Sequence, residues 1–136
     1  MRCLGLDIGD RWIGVALSDP GGILASPFSI IERIDDGQAV AAIADIINKE
    51  QVGKIVVGLP LSLDGTLSGQ AEKVKEFTDK LSEHIKTPME FRDERLTTVM
   101  AQRLKRASGG KKVRGKTRYD SQAAAIILQS YLDEGR

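Results

Sequence analysis

With 136 residues, 41% of them hydrophobic, the chain is long enough for one packed core and too short for two ordinary domains. Its 20 Lys and Arg residues against 19 Asp and Glu give a net charge of +1, so the total charge does not indicate a polyanionic partner. One His and one Cys exclude zinc sites built from these ligands. The absence of a membrane-length apolar run and of a signal-peptide pattern predicts a soluble cytoplasmic protein.

The amino-terminal part of the sequence is typical of three short strands joined by tight turns. Gly9-Asp10 and Pro20-Gly21-Gly22 supply the turn signals. Connections this short predict an antiparallel meander. The strands are predicted at Arg2–Asp7, Trp12–Ser18 and Ile23–Ile31.

Amphipathic helices then alternate with short apolar strands. A helix is predicted from Gln38 to Glu50, and the β-branched run Lys54–Gly58 is typical of a strand buried on both sides in a parallel sheet. Pro88–Arg92 predicts a last strand. Between these strands a second helix is predicted, and its core face comprises Ala71, Val74, Phe77, Leu81 and Ile85.

Two further helices are predicted, at Thr98–Ala107 and at Asp120–Leu132. The sequence contains no internal repeat or linker, so residues 1–136 are expected to form one domain. The element order β-β-β-α-β-α-β-α-α predicts an α/β fold, with a mixed five-stranded sheet and helices on both of its faces.

Acidic side chains stand at the ends of three predicted elements. Asp7 ends the first strand, Asp93 and Glu94 follow the last strand, and Asp120 opens the last helix. Each position has an ordinary structural explanation: amides of the next turn for Asp7, neutralisation by flanking arginines for the pair, and a helix cap for Asp120. The combination indicates more, because carboxylates at element ends can converge on one edge of such a sheet.

Convergent carboxylates predict a metal site and, through it, a nuclease activity. The carboxylates would repel one another unless a cation joined them, and oxygen ligands of this kind suit Mg²⁺ or Mn²⁺. These ions bind phosphate oxygens and lower the pKa of water, so hydrolysis of a phosphodiester would need no protein nucleophile. The hypothesis is therefore a metal-dependent nuclease.

The basic segment Lys105–Arg118 contains no acidic residue and leads directly into Asp120, in a chain whose total charges nearly balance. A stretch of this kind predicts contacts to a phosphate backbone, although a solvated connection is the alternative. Ser62 and Thr66, in a polar loop after the parallel strand, are candidates for hydrogen bonds to phosphate, with an ordinary turn as the alternative. The predicted backbone contacts are Lys111, Lys112, Arg114, Lys116 and Arg118.

Over essentially its whole length the sequence resembles the YqgF family. That resemblance implies a ribonuclease H-like fold in which Asp7, Glu94 and Asp120 are the catalytic and metal-binding residues. The family is associated with maturation of the 5′ end of 16S ribosomal RNA, which favours precursor rRNA as the nucleic-acid partner and ribosomal particles as further partners. The resembling segments are Leu4–Gly9 with Ile13–Ala16, Val57–Leu61 with Asp64–Thr66, Asp93–Thr98, and Asp120 with Ala123-Ala124 and Ile127-Leu128.

Alternatives stay open on both substrate and class. The family was earlier proposed to resolve Holliday junctions, and a DNA junction endonuclease would use the same carboxylates. A nucleotide-binding module also fits an Asp-x-Gly turn after a first strand, although a second phosphate-binding glycine motif is missing. A ribosome-associated RNA-binding module without catalysis is a further alternative. Glu94 is favoured over Asp93, but adjacent residues at a strand end point in different directions.

Overall fold

A computed structural model describes residues 1–61, 68–94 and 121–134 of the chain. The helix predicted at Thr98–Ala107 lies outside these residues. Within the described ranges no helix is long and apolar enough to span a membrane. The elements, in chain order, are β1 (Arg2–Ile8), β2 (Trp12–Ser18), β3 (Ala25–Glu32), α1 (Asp36–Glu50), β4 (Val52–Leu59), α2 (Gly69–Ser82), β5 (Met89–Asp93) and α3 (Gln122–Glu134).

The strands form one mixed sheet in the order β3-β2-β1-β4-β5. β1 pairs antiparallel with β2, and β2 with β3, which confirms the predicted meander. β4 pairs parallel with both β1 and β5, as the helical crossovers predict. The predicted α/β fold with a mixed five-stranded sheet is therefore confirmed, and β1 lies at its centre, between β2 and β4.

Helices cover the sheet on both faces, as predicted. α1 and α2 pack on one face through a large apolar cluster that includes Leu6 and Phe77. α3 packs on the other face with Ala16 and Val56. Gly5 allows α3 to come close to β1, because a Cβ atom at this position would lie 2.8 Å from the carbonyl oxygen of Ala124.

Two element boundaries differ from the prediction, at the beginning of β3 and at the end of α2. β3 begins at Ala25 rather than Ile23, because a carboxylate oxygen of Asp19 accepts hydrogen bonds from the amides of Ile23, at 2.7 Å, and Leu24, at 2.9 Å. The same bonds lower the pKa of Asp19. α2 ends at Ser82, so Ile85 lies beyond the helix, half-buried against the same core. The predicted helical face was therefore one turn too long.

Candidate active site

Asp7 is a buried carboxylate near the carboxyl end of β1, with only 5% of its surface exposed. Strand alternation places it on the same face as Gly5, which is the face covered by α3. Its register partner in β2 is Gly14, and continuation of the β1–β4 register places Gly58 beside it on the other side. Asp7 therefore stands between two positions that carry no side chain.

Glu94 directly follows β5 and is 1% exposed, which makes it one of the most deeply buried side chains of the described residues. A Cβ atom built on Gly58 would lie 2.9 Å from Oε2 of Glu94 and 3.3 Å from its Cγ. The same Cβ atom would also contact Cδ1 of Ile127 in α3. The Glu94 carboxylate thus lies over Gly58, on the face of the sheet that α3 covers.

Gly58 lies between the two carboxylates. β4 is the strand between β1 and β5, and neighbouring strands are spaced about 4.8 Å apart, so Asp7 and Glu94 approach the space over Gly58 from opposite sides. Their oxygen atoms are the donor type that Mg²⁺ and Mn²⁺ prefer, and burial of two carboxylates at one place favours a cation between them. The residues present therefore fit a divalent cation.

Asp93 faces the opposite side of the sheet from Glu94. It shares the alternation of Met89, which packs against the core beneath α1 and α2. Arg92 shares the face of Glu94, and its guanidinium bonds to α3, through Ser130 Oγ at 2.8 Å and Glu134 Oε1 at 2.6 Å. The structure therefore brings Glu94, and not Asp93, to the face that holds Asp7.

The beginning of α3 is directed toward Asp7. Ala124 lies over Gly5, whereas Tyr131, near the other end of the helix, lies over Lys54 at the beginning of β4. The helix therefore runs opposite to β1, and the buried Ser121 precedes it. Asp120, the third predicted ligand, lies outside the described residues. Within residues 1–61, 68–94 and 121–134, no group of three or more metal-ligating side chains occurs.

The predicted phosphate-binding residues are not placed by the structure. They belong to two segments of the chain that lie outside the described residues. These residues are Ser62 and Thr66 in the first segment, and Lys111, Lys112, Arg114, Lys116 and Arg118 in the second.

Sequence reasoning missed two residues that shape this site. Gly58 leaves the space that the Glu94 carboxylate occupies, and a glycine inside a buried strand pattern was the available signal. Arg33 donates a hydrogen bond of 2.9 Å from Nη1 to the carbonyl oxygen of Gly9, in the turn after Asp7. No local sequence pattern predicts the contact between Arg33 and Gly9, because these residues are 24 positions apart in the chain.

Substitution of Gly58 by Ala tests the arrangement around this glycine. The added methyl group would collide with Ile127 and with the Glu94 carboxylate, so we expect a loss of about 1–3 kcal/mol in the free energy of unfolding. Because the sequence predicts Glu94 as a ligand of Mg²⁺ or Mn²⁺ in a nuclease, its displacement is also expected to remove most metal-dependent cleavage. Denaturant unfolding and a nuclease assay measure the two effects.

Gly53, in the same strand, supplies the matched control. A Cβ atom there would lie 2.7 Å from Sδ and 2.9 Å from Cβ of Met1, but Met1 precedes β1 and is 85% exposed, so the whole residue can shift away. Gly53→Ala should therefore change stability by no more than about 0.5 kcal/mol and keep the activity. Equal effects of the two substitutions would contradict the role of Gly58 in leaving space for the Glu94 carboxylate.

The fold that surrounds these carboxylates is ribonuclease H-like. RuvC of Thermus thermophilus, solved in complex with a Holliday junction substrate, superimposes with a TM-score of 0.63 at 14% identity, covering 99% of this chain and 96% of that one. The Holliday junction resolvase of fowlpox virus superimposes with a TM-score of 0.57 at 14% identity, covering 98% and 99% of the two chains. At these identities the likeness concerns the fold.

A family model described as RuvX, Holliday junction resolvase, matches residues 1–134, and the chain belongs to this family. A relative in Dehalococcoides mccartyi is 50% identical over 127 residues, covering 93% of this chain and 94% of its own length. Another in Caldanaerobacter subterraneus is 47% identical over 135 residues, covering 98% and 96%. Both carry the name "Putative pre-16S rRNA nuclease". The predicted membership of the YqgF family, which is the RuvX family, is confirmed.

Proposed function

We propose that the protein is a metal-dependent endonuclease that hydrolyses phosphodiester bonds, with Asp7, Glu94 and Asp120 as the residues that hold Mg²⁺ or Mn²⁺. The observation that carries the proposal is the pair of buried carboxylates on either side of Gly58, on one face of the sheet. Membership of the RuvX family and the nuclease names of its relatives support the same activity.

Each carboxylate has a defined task in this proposal. Asp7 supplies carboxylate oxygens from β1 and Glu94 supplies them from the residue after β5. Burial of both side chains keeps these oxygens out of bulk water, which strengthens their electrostatic effect. Asp120 precedes the buried Ser121, and the beginning of α3 is directed toward Asp7. A bound divalent cation supplies Lewis-acid chemistry, by which phosphate is polarised and water is made a nucleophile at neutral pH.

Precursor 16S ribosomal RNA is the favoured substrate, with ribosomal particles in the cytoplasm as the setting. The support is the name of the two relatives, which cover nearly all of this chain at 50% and 47% identity. A four-way DNA junction is the second candidate, because the family description names Holliday junction resolution. Both substrates are phosphodiester polyanions, so the carboxylates do not distinguish them.

Cleavage of the two substrates by one preparation tests this choice. We expect Mg²⁺-dependent cleavage of precursor 16S RNA that exceeds cleavage of a four-way DNA junction at equal concentration, with Asp7→Asn as the control for contaminating nuclease. Preferential cleavage of the junction would show that branched DNA, and not precursor RNA, is the substrate. Binding of RNA without any cleavage would favour the non-catalytic module, and binding of ATP in calorimetry would favour the nucleotide-binding module.

The basic segment is proposed to hold the phosphate backbone of the substrate. Each phosphate contact releases condensed counterions, so the affinity falls as the salt concentration rises. Simultaneous replacement of Lys111, Lys112, Arg114 and Lys116 by Ala should weaken binding and flatten its salt dependence, with little change in folding. Binding titrations at several ionic strengths measure the slope, and an unaltered slope would reduce the segment to a solvated connection.

A further inference from the structure

The turn that follows Asp7 is tightly built. The amide of Gly9 donates a hydrogen bond of 2.9 Å to the carbonyl oxygen of Trp12. A Cβ atom on Gly9 would lie only 2.8 Å from the same oxygen, so the close approach requires glycine. Gly9 is two residues from Asp7, so this turn, together with the pairing of Asp7 and Gly14 in the sheet, bounds the backbone that carries the Asp7 carboxylate.

Arg33, from the loop after β3, holds this turn at two points. Its Nη1 donates to the carbonyl oxygen of Gly9 at 2.9 Å, and its backbone amide donates to the carbonyl oxygen of Arg11 at 2.7 Å. Both polar groups of the Gly9 backbone therefore have partners, the amide in β2 and the carbonyl in Arg33. The turn is fixed by β2 on one side and by the loop before α1 on the other.

The guanidinium of Arg33 is itself fixed by both helices on that face. Its Nε donates to Oδ1 of Asp36, in the first turn of α1, at 2.8 Å, and its Cζ lies 4.7 Å from the ring centre of Phe77 in α2. Lys80 binds the other Asp36 oxygen at 2.6 Å. The hydrogen bond from Arg33, followed by that from Lys80, lowers the pKa of the Asp36 carboxyl.

The Arg33 guanidinium does more than pair with one carboxylate, because it also supports the backbone of the Gly9 turn. The Arg33 side chain is 14% exposed, and burial of a guanidinium costs desolvation energy. One arm of its planar fork meets Asp36 and the other meets a backbone carbonyl in the turn after a buried carboxylate. A metal site tolerates displacements of only about 0.5 Å in its ligands, so a rigid support beneath Asp7 has a direct use.

We propose that Arg33 is a positioning residue, which holds the Gly9 turn so that the Asp7 carboxylate is preorganised for a divalent cation. The inference rests on the proposed function, because it assigns to Arg33 the support of a metal ligand in that same site. Arg33 touches neither cation nor substrate in this role. Its contribution is to the affinity for metal through the backbone between Asp7 and Gly9.

Substitution of Arg33 by Gln tests the proposal through metal affinity. We expect the Mg²⁺ concentration for half-maximal cleavage to rise about tenfold or more, as is typical when a group that supports a metal ligand is lost, with cleavage recovering as Mg²⁺ saturates. The Mg²⁺ concentration needed for the thermal shift of the protein should rise by the same factor. Hydrogen exchange of the Gly9 amide should also become faster.

Arg2→Gln is the control, because it breaks another arginine–carboxylate pair of α1, at the end of that helix opposite to Asp36. Nη1 of Arg2, at the beginning of β1, binds Glu50 Oε1, at the end of α1, at 2.6 Å. This substitution should lower thermal stability without changing either Mg²⁺ midpoint. Arg33→Lys keeps the charge but not the planar guanidinium, so it should raise the Mg²⁺ midpoints by a smaller factor. This second variant keeps the proposal testable if the Arg33→Gln protein does not fold.

The outcomes separate this inference from the function beneath it. The role of Arg33 would be overturned if both Arg33 variants had the same Mg²⁺ midpoints for cleavage and thermal shift as the parent. It would also be overturned if Arg2→Gln raised these midpoints as much as the Arg33 variants do. Either result would leave the nuclease proposal standing. A parent protein without Mg²⁺-dependent cleavage or a Mg²⁺-dependent thermal shift would instead overturn the proposed function, and the inference with it.

Discussion

Replacement of Asp7 by Asn is expected to remove nearly all cleavage while the metal-free protein stays at least as stable as the parent. The amide keeps the shape of the side chain and removes one of two buried negative charges that approach the same space over Gly58. Relief of like-charge repulsion should stabilise the metal-free fold by an amount on the order of 1 kcal/mol. Mg²⁺ should raise the melting temperature of the parent and scarcely affect the mutant.

Thermal melts of both proteins with and without Mg²⁺, beside a nuclease assay, measure these effects. Asp10→Asn is the control, since Asp10 lies in the adjoining turn with a side chain 68% exposed and 3.8 Å from Lys73 Nζ. It should change neither cleavage nor the response to Mg²⁺. If Asp7 instead only satisfied amides of the turn, its amide variant would lose charge-assisted hydrogen bonds and be less stable. A clearly destabilised but active Asp7→Asn protein would end the catalytic assignment.

The adjacent residues Asp93 and Glu94 should respond in opposite ways to the loss of their charge. Glu94→Gln should reduce cleavage by at least about 100-fold. Loss of a residue that only supports a metal ligand already reduces activity by about 10- to 100-fold, and loss of the ligand itself should cost more. Asp93→Asn should retain most of the activity, because Asp93 faces the side of the sheet away from Asp7. Cleavage rates over a range of Mg²⁺ concentrations compare the two substitutions.

Glu94→Gln should also weaken the thermal shift caused by Mg²⁺, whereas Asp93→Asn should keep that of the parent. The two variants have the same charge change at neighbouring positions, so general electrostatic effects cancel in the comparison. Loss of activity in Asp93→Asn with retention in Glu94→Gln would exchange their roles and contradict the placement of the metal site over Gly58.

The fold was predictable because its determinants are local. Gly9-Asp10 and Pro20-Gly21-Gly22 force short connections, and the apolar run within β4 has no alternation, so a meander joined to parallel strands was the natural solution. The shifted boundary of β3 depends on the Asp19 carboxylate, which accepts from amides four and five residues ahead. Strand propensity alone does not predict that a carboxylate will accept hydrogen bonds from these backbone amides.

The site was predictable only in part. The predicted ends of β1 and β5 identified the positions of Asp7 and of the acidic pair. The sequence does not show whether the alternation of side chains between the two faces of the sheet continues beyond Asp93, and this decides which face Glu94 occupies. The space over Gly58 arises from the approach of α3 to the sheet, and the support of Gly9 by Arg33 joins elements far apart in the chain. Tertiary packing determines both features.

The central claim, that Asp7 and Glu94 support metal-dependent hydrolysis of a phosphodiester, is tested most directly by the chemistry of the cleaved ends of precursor 16S RNA. Attack by water leaves a linear phosphate on one fragment and a free hydroxyl on the other, whereas attack by the RNA's own 2′-hydroxyl leaves a 2′,3′-cyclic phosphate. The account predicts linear phosphate ends in Mg²⁺ and no cleavage in EDTA. Cyclic phosphate ends that persist in EDTA would contradict it.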